Sequence, residues 1–234
     1  MTASLSGTTD HKNDPALVRS TARWHWRNPA LYFAAAWSGF FVMGVELLGG
    51  RLLAPYFGSS IFVWGALIAV FMTALAVGYL VGGQLSLRSP KLTVLGLLLM
   101  AEALFTLPVV LFSDAAFDAL SFSIEDPRYG SLVAAFLMFS APTFFSGMVS
   151  PYAVRLLIDN VERSGQSAGR LYFASTLGSA GGTIMTTFYL VLLFELNTVI
   201  LGLISISFAI GASGGNHGLL HSGGSDCHGL GKTS

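Results

Sequence analysis

The chain of 234 residues is 53% hydrophobic and only 10% charged, whereas an ordinary soluble domain carries roughly 25% charged residues. A soluble domain of this length has too little interior for so many apolar side chains, so the composition predicts a membrane protein. Lys plus Arg and Asp plus Glu both number 12, so net charge gives no reason to expect a nucleic-acid partner. The single cysteine, Cys227, excludes an intrachain disulfide.

The hydropathy pattern predicts an all-α membrane protein, a bundle of six transmembrane helices. A helix needs about 20 mainly apolar residues to cross the hydrocarbon of a bilayer. Six segments meet this length, at 30–50, 60–85, 92–113, 130–153, 169–194 and 196–213. The last two are separated only by the short turn Glu195-Leu196-Asn197.

The segments outside the spans divide the rest of the chain. Residues 1–29 are polar and lack a short apolar core with a cleavage site, so we expect a cytoplasmic segment and no cleaved signal peptide. Segment 114–124 places apolar residues at helical spacing but is too short to cross, which predicts an interfacial helix on the outer surface. Residues 214–234 are rich in Gly, Ser and His, which predicts a disordered tail.

The basic residues predict the orientation of the bundle. With the N-terminus placed in the cytoplasm, ten of the 12 Lys and Arg residues fall on the inner side and two, Arg51 and Arg128, fall outside. The inner residues are Lys12, Arg19, Arg23, Arg27, Arg88, Lys91, Arg155, Arg163, Arg170 and Lys232. This asymmetry predicts a bacterial-type inner membrane protein with both termini in the cytoplasm.

Small residues recur every four positions in two of the spans. The second span carries Ala74, Gly78 and Gly82, and the fifth carries Ala174, Gly178 and Gly182. Small residues at this spacing let helix backbones approach closely, so both stripes are interpreted as packing surfaces within the bundle. A sliding surface in a transporter-like motion is the alternative interpretation.

Glu102 is the most informative polar side chain because it lies near the middle of the third span. A carboxyl group at that depth costs at least about 2.5 kcal/mol on insertion scales, so it is expected to face a polar cavity or a partner. It is a candidate for binding a cationic ligand or a proton, and a protonated acid bonded to a neighbouring helix is the structural alternative.

A second candidate site lies at the predicted outer end of the first two spans. Glu46, Arg51, Tyr56 and Trp64 would line it, provided that Gly49-Gly50 breaks the helix and lets Glu46 approach Arg51. A local ion pair that closes the helix end is the alternative.

Two further features bear on a site. Pro142 and Pro151 in the fourth span predict either a broken helix that lines a substrate site or a simple kink. His217 and His221 are spaced like metal ligands, but the tail provides no scaffold, so we expect no metal and no cofactor.

The run Glu46-Leu-Leu-Gly-Gly-Arg-Leu-Leu-Ala-Pro-Tyr-Phe-Gly-Ser-Ser, followed by Trp64-Gly65, resembles the membrane part of spermidine-synthase-like integral membrane proteins. Shorter pieces at 78–83, 147–151 and 169–183 agree with it, and the resemblance covers about residues 30–210. It implies a bundle similar to half of a major-facilitator transporter. It also commonly implies a cytoplasmic aminopropyltransferase domain after the last helix, for which this chain has no strand–helix alternation.

Three functions remain open at this stage. The first is a module that binds or transports a small, polyamine-like cation, with Glu46 and Glu102 as counter-charges. The second is a non-catalytic accessory subunit of a larger membrane complex, and the third is the membrane part of a split polyamine synthase. No enzyme activity is expected of this chain alone. The lipid bilayer is its first partner, and a homo-oligomer or a set of foreign subunits would be its second.

Overall fold

The computed structural model describes the backbone of residues 15–87, 90–158 and 164–222, and side chains within 29–87, 90–158 and 164–214. Every regular element in these ranges is a helix, and six of the helical segments are long and apolar enough to cross a bilayer. The all-α fold class and the six spans predicted from hydropathy are therefore confirmed, and the chain is a multi-pass membrane protein.

The helices follow one another with short connections. They are α1 (Pro15–Phe57), α2 (Ile61–Leu85), α3 (Leu92–Ser123), α4 (Pro127–Leu157), α5 (Ser164–Met185), a π-helical stretch (Thr186–Leu190), α6 (Val191–Leu193) and α7 (Leu196–Ser222). The fifth span consists of α5, the π-helical stretch and α6 together, from Ser164 to Leu193. The predicted turn at Glu195 does separate it from the sixth.

The first helix differs from its prediction at both ends. The α1 backbone is already helical from Pro15, within the segment expected to be a separate N-terminal region. It continues through Gly49 and Gly50, so the predicted break is wrong. Aromatic rings occupy the space beside these glycines: a Cβ on Gly49 would lie 3.0 Å from the ring of Phe139, and one on Gly50 would lie 2.7 Å from Trp64. The glycines make room for packing rather than a bend.

The predicted interfacial helix at 114–124 is also wrong, because α3 is continuous to Ser123. Its last turns extend the third span and pack against the end of α1. Phe117 is fully buried there, and its ring meets Tyr56 edge to face at 5.7 Å. Phe117 thus anchors this segment to the bundle, and the helix continues unbroken to Ser123.

Two other segments are more regular than the sequence indicated. Neither Pro142 nor Pro151 interrupts α4, so the broken-helix interpretation is not realised. At the other end of the chain, α7 is helical to Ser222, which differs from the disorder predicted from residue 214. Residues 223–234 lie outside the described ranges.

The helices pack around α1 and α4, which lie side by side in the centre. Helix α5 packs on α1, α2 packs on α4, and α3 packs on both α4 and α7. Glycines let the backbones of α2 and α4, and those of α5 and α1, come into direct contact. A Cβ on Gly82 would lie 2.7 Å from Cα of Met148, and a Cβ on Gly182 would lie 2.5 Å from the carbonyl oxygen of Phe40. The structure thus places both small-residue stripes at helix contacts inside the bundle.

These contacts occur twice with the same pattern. Gly78 and Gly82 of α2 meet the α4 backbone at Phe144 and Met148, and Gly178 and Gly182 of α5 meet the α1 backbone at Ala36 and Phe40. Likewise Gly147 of α4 meets Leu75, and Gly39 of α1 meets Ser175. Because each half contributes three spans, the second half runs in the opposite direction to the first. The bundle therefore consists of two inverted three-span repeats, with α1 equivalent to α4 and α2 equivalent to α5.

Candidate functional site: a buried polar cluster at Glu102

Glu102 lies inside the bundle with no exposed surface. It is on α3, about 15 Å from the first residue of that helix at 1.5 Å per residue, which corresponds to the middle of a hydrocarbon layer of about 30 Å. The helices that carry its polar neighbours are α7, α1 and α4. Four helices thus meet at one carboxyl group.

A directed chain of hydrogen bonds reaches this carboxyl group. Trp37 Nε1–H donates to Ser207 Oγ at 2.7 Å, and Ser207 Oγ–H donates to Glu102 Oε1 at 2.9 Å. An indole N–H can only donate and a hydroxyl has a single hydrogen, so the direction from Trp37 to Ser207 to Glu102 is fixed. The chain ties α1, α7 and α3 together at mid-depth.

Two further hydroxyl groups, those of Ser38 on α1 and Ser146 on α4, lie beside the same carboxyl group. Their Oγ atoms are 2.7 Å apart, and each hydroxyl also approaches the other residue's carbonyl oxygen, at 3.3 and 3.5 Å. The pair is reciprocal because Ser38 and Ser146 occupy equivalent positions in the two repeats. The two repeats therefore meet beside Glu102.

The second carboxyl oxygen, Glu102 Oε2, is buried and has no hydrogen-bond partner. Thr106 does not supply one, because its hydroxyl donates to the Glu102 backbone carbonyl at 2.7 Å. A buried polar atom without a partner costs about 1–3 kcal/mol, and more when it is charged. Such an atom in the centre of a membrane bundle makes Glu102 a candidate functional residue.

Glu46 lies apart from this cluster. It is eight residues beyond Ser38 on α1, or about 12 Å along the helix axis. Its side chain is buried and its Oε2 has no partner, while Arg51 is exposed, and no ion pair joins the two within the described side chains. The predicted ion pair between Glu46 and Arg51 is therefore wrong, because the unbroken helix places the two residues on different faces.

The remaining predicted ligands at that end of the bundle have structural partners. Tyr56 donates from its hydroxyl to Asp114 Oδ1 at 3.2 Å, which links α1 to the extended α3. Trp64 is half-buried against Gly50. The predicted outer site therefore does not form as one cluster: Glu46 is the only member that is buried with an unpartnered polar atom.

A third unpartnered buried atom is Thr186 Oγ1, at the first residue of the π-helical stretch. In α-helices a threonine hydroxyl can bond the carbonyl oxygen of the preceding turn, as Thr183 does to Ser179 at 2.9 Å. π-Helical turns are frequent at functional sites. Thr186 faces α1 near Gly44, where a Cβ would lie 3.4 Å from its Oγ1.

An open apolar groove of about 670 Å³ runs along the outside of α2 and α4. Thr73, Val77, Phe136, Ser140 and Phe144 are among its lining residues. None of the unpartnered acids lies in it. The groove is therefore not part of the polar cluster.

The sequence interpretation identified Glu102 but missed Trp37, Ser38 and Ser207 as its partners. A repeated motif could have indicated part of the cluster: an aromatic residue, serine and glycine occur at 37–39 and again at 145–147. Ser207 stands in an apolar span with no comparable signal. Within the described residues no group of three His, Cys, Asp or Glu side chains could hold a metal ion, and His217 and His221 have no described side chains.

Comparison with known proteins adds no identification. No protein-family model matches the chain, and neither a curated protein nor a solved structure is significantly similar to it.

Proposed function

We propose that the protein is a membrane-embedded module that binds and transports a small organic cation of the polyamine type, with Glu102 as its central binding acid. The observation that carries this proposal is the Glu102 carboxyl group, which is fully buried at mid-membrane depth and has an unpartnered oxygen. An ionisable residue at this depth is expensive to keep and is typically a functional group.

The architecture supports the same proposal. Transporters are commonly built from inverted repeats, and their substrate sites lie near the bilayer midplane where the repeats meet. Glu102 lies beside Ser38 and Ser146, the pair through which the two repeats of this chain meet. The bacterial-type inner membrane and the cytoplasmic termini belong to this proposal as well.

The test is binding of radiolabelled spermidine to the purified protein in detergent. A hydrogen bond to a charged group contributes about 1.5–3 kcal/mol, so Glu102→Gln is expected to weaken binding roughly 10- to 100-fold. Glu195→Gln is the matched control, because Glu195 is exposed at the turn before α7 and is expected to leave affinity unchanged.

If Glu102→Gln and the unsubstituted protein bind spermidine with equal affinity, at equal purity and monodispersity, Glu102 is not the binding acid. Glu46→Gln distinguishes the two buried acids. Because Glu46 lies about 12 Å further along α1, it is expected to contribute to binding only if the cation carries a second charge at that distance.

An accessory subunit of a larger membrane complex is the competing function. The fifth span favours it, because most of its surface is exposed and its main neighbour is α1. Mild detergent extraction from the native membrane, followed by mass spectrometry, separates the two functions. A stoichiometric set of foreign subunits without a small-molecule ligand would favour the accessory role, and a homogeneous protein with a retained amine would favour transport.

A further inference from the structure

The hydrogen-bond donors around Glu102 are too few for an ionised carboxyl group. A carboxylate offers about four lone-pair sites, and in this cluster it receives one geometrically defined hydrogen bond, from Ser207 to Oε1. The Trp37 donor is already committed to Ser207. Of the two hydrogens of the Ser38–Ser146 pair, one lies between the two Oγ atoms and the other is within reach of a backbone carbonyl oxygen.

The same groups suit a neutral carboxylic acid. A protonated Oε2 becomes a donor, and the oxygen atoms of Ser38 and Ser146 beside the carboxyl group have lone pairs that can accept a hydrogen. Oε1 continues to accept from Ser207. One proton on Oε2 therefore gives a hydrogen to donate to the oxygen of this carboxyl group that has no partner.

The distribution of charged residues on the surrounding helices also favours a neutral carboxylic acid. Helix α3 and residues 196–214 of α7, the part of that helix with described side chains, contain no Lys, Arg or His. The basic residues with described side chains on α1 and α4 are Arg51, Arg128 and Arg155, all exposed. The nearest, Arg155, is nine residues from Ser146, or about 13 Å along α4. Among the described side chains of these four helices, no cation is therefore placed to neutralise an ionised Glu102.

The other titratable groups on these helices are also remote from the cluster. With described side chains on α1 they are Tyr32, Glu46 and Tyr56, and on α4 the nearest is Tyr152, whose hydroxyl oxygen accepts from the Lys91 backbone N–H at 2.9 Å. Asp114 on α3 lies about 18 Å from Glu102 along the helix, and residues 196–214 of α7 contain no titratable side chain. Glu102 is thus the single group of the cluster that can gain or lose a proton.

We propose that Glu102 is a proton-binding site, held in this conformation as a neutral carboxylic acid whose Oε2–H donates to the Ser38–Ser146 pair. The proposal deepens the proposed function, because a cation would be bound here only in exchange for this proton. In that exchange the O–H bond of the acid breaks, the proton leaves to water, and the carboxylate neutralises one positive charge of the cation. Transport would then move protons and cations in opposite directions.

The experiment is infrared spectroscopy of the protein in lipid without any amine. The unsubstituted protein at neutral pH is expected to show the carbonyl stretch of a protonated carboxyl group. The frequency of this band should decrease when H₂O is exchanged for D₂O. Glu102→Gln should remove that band, and Glu46→Gln should retain it. Because glutamine has nearly the shape of a protonated glutamic acid, Glu102→Gln is expected to fold.

A double variant, Ser38→Ala with Ser146→Ala, keeps the test independent of the Gln substitution. It removes the acceptors of the Oε2–H bond, so the Glu102 band is expected to shift in frequency, whereas Ser205→Ala on an exposed face should leave it in place. If Glu102→Gln removes no protonated-carboxyl band at neutral pH, the assignment of Glu102 as a proton-binding site is wrong. Absence of spermidine binding with the band intact would instead contradict only the proposed function.

Discussion

At the scale of single residues, the structure separates acids that looked alike in the sequence. Glu46 and Glu102 are both carboxyl groups within apolar spans, but only Glu102 is joined by hydrogen bonds to other helices. Its partner Ser207 is 105 positions away in the chain, and Trp37 is 170 positions from Ser207. Contacts over such separations depend on how the helices pack, which no local pattern encodes.

Removal of the Ser207 hydroxyl should disrupt the cluster. Ser207→Ala leaves both the Trp37 N–H and Glu102 Oε1 without partners, so we expect a loss of stability of about 1–3 kcal/mol. The measurement is thermal unfolding in detergent, followed by tryptophan fluorescence.

Ser205→Ala on the same helix is the control for this prediction. Ser205 is exposed and bonds only the Leu201 carbonyl of its own helix at 2.7 Å, so its removal should change the unfolding temperature little. Equal effects of the two alanine substitutions would show that the buried chain contributes nothing to stability.

At the scale of the elements, glycine positions decide which helix faces meet. The four-residue spacing predicted that the stripes of α2 and α5 are packing surfaces, and the structure assigns each its partner, α4 and α1. The spacing could not reveal those partners, because it is the same in both helices. It also could not show that Gly49 and Gly50 lie under aromatic rings rather than in a bend, since the residue that fills the space is on another helix.

A pair of alanine substitutions in α5 tests this assignment. A Cβ on Gly178 would overlap the α1 backbone at Ala36, whereas one on Gly181 would meet nothing within 4 Å. We expect Gly178→Ala to destabilise the protein by about 1–3 kcal/mol through overpacking. Gly181→Ala should be neutral or stabilising by up to about 1 kcal/mol, because alanine is the better helix former.

Thermal unfolding and the monodispersity of the purified variants measure this difference. Because α2 is equivalent to α5 in the repeats, the same prediction applies to α2. A Cβ on Gly78 would overlap the α4 backbone, whereas one on Gly83 would meet nothing within 4 Å. Alanine at Gly78 should therefore reproduce the loss seen at Gly178. If alanine at Gly178 were as well tolerated as at Gly181, the close contact of α1 and α5 would be wrong.

At the scale of the whole molecule, the two inverted repeats meet beside a single buried acid, Glu102. The two repeats are related in their glycine contacts, but α3 alone contributes a carboxyl group to the cluster and α7 contributes the Ser207 hydroxyl that donates to it, so the site is asymmetric.

The orientation of the bundle has its own test. In a Cys227→Ser background, we expect Glu125→Cys, in the turn between α3 and α4, to react with a membrane-impermeant maleimide in intact cells. Gln166→Cys, at the start of α5, should react only after permeabilisation. Both positions are exposed, so accessibility to solvent does not distinguish them. The reverse labelling pattern would invert the topology predicted from the distribution of Lys and Arg.

The sequence by itself determined that this is a helical protein with six membrane spans, and it identified Glu102 as an unusual residue. Span number and length follow from local hydropathy, because the backbone of a segment in lipid must satisfy its own hydrogen bonds within the helix. Only the tertiary structure decided that Glu102 joins Ser207, that Glu46 stands apart from Arg51, and that the halves pair through Ser38 and Ser146. Those relations depend on which helix faces meet, and that choice results from close packing between residues far apart in the chain.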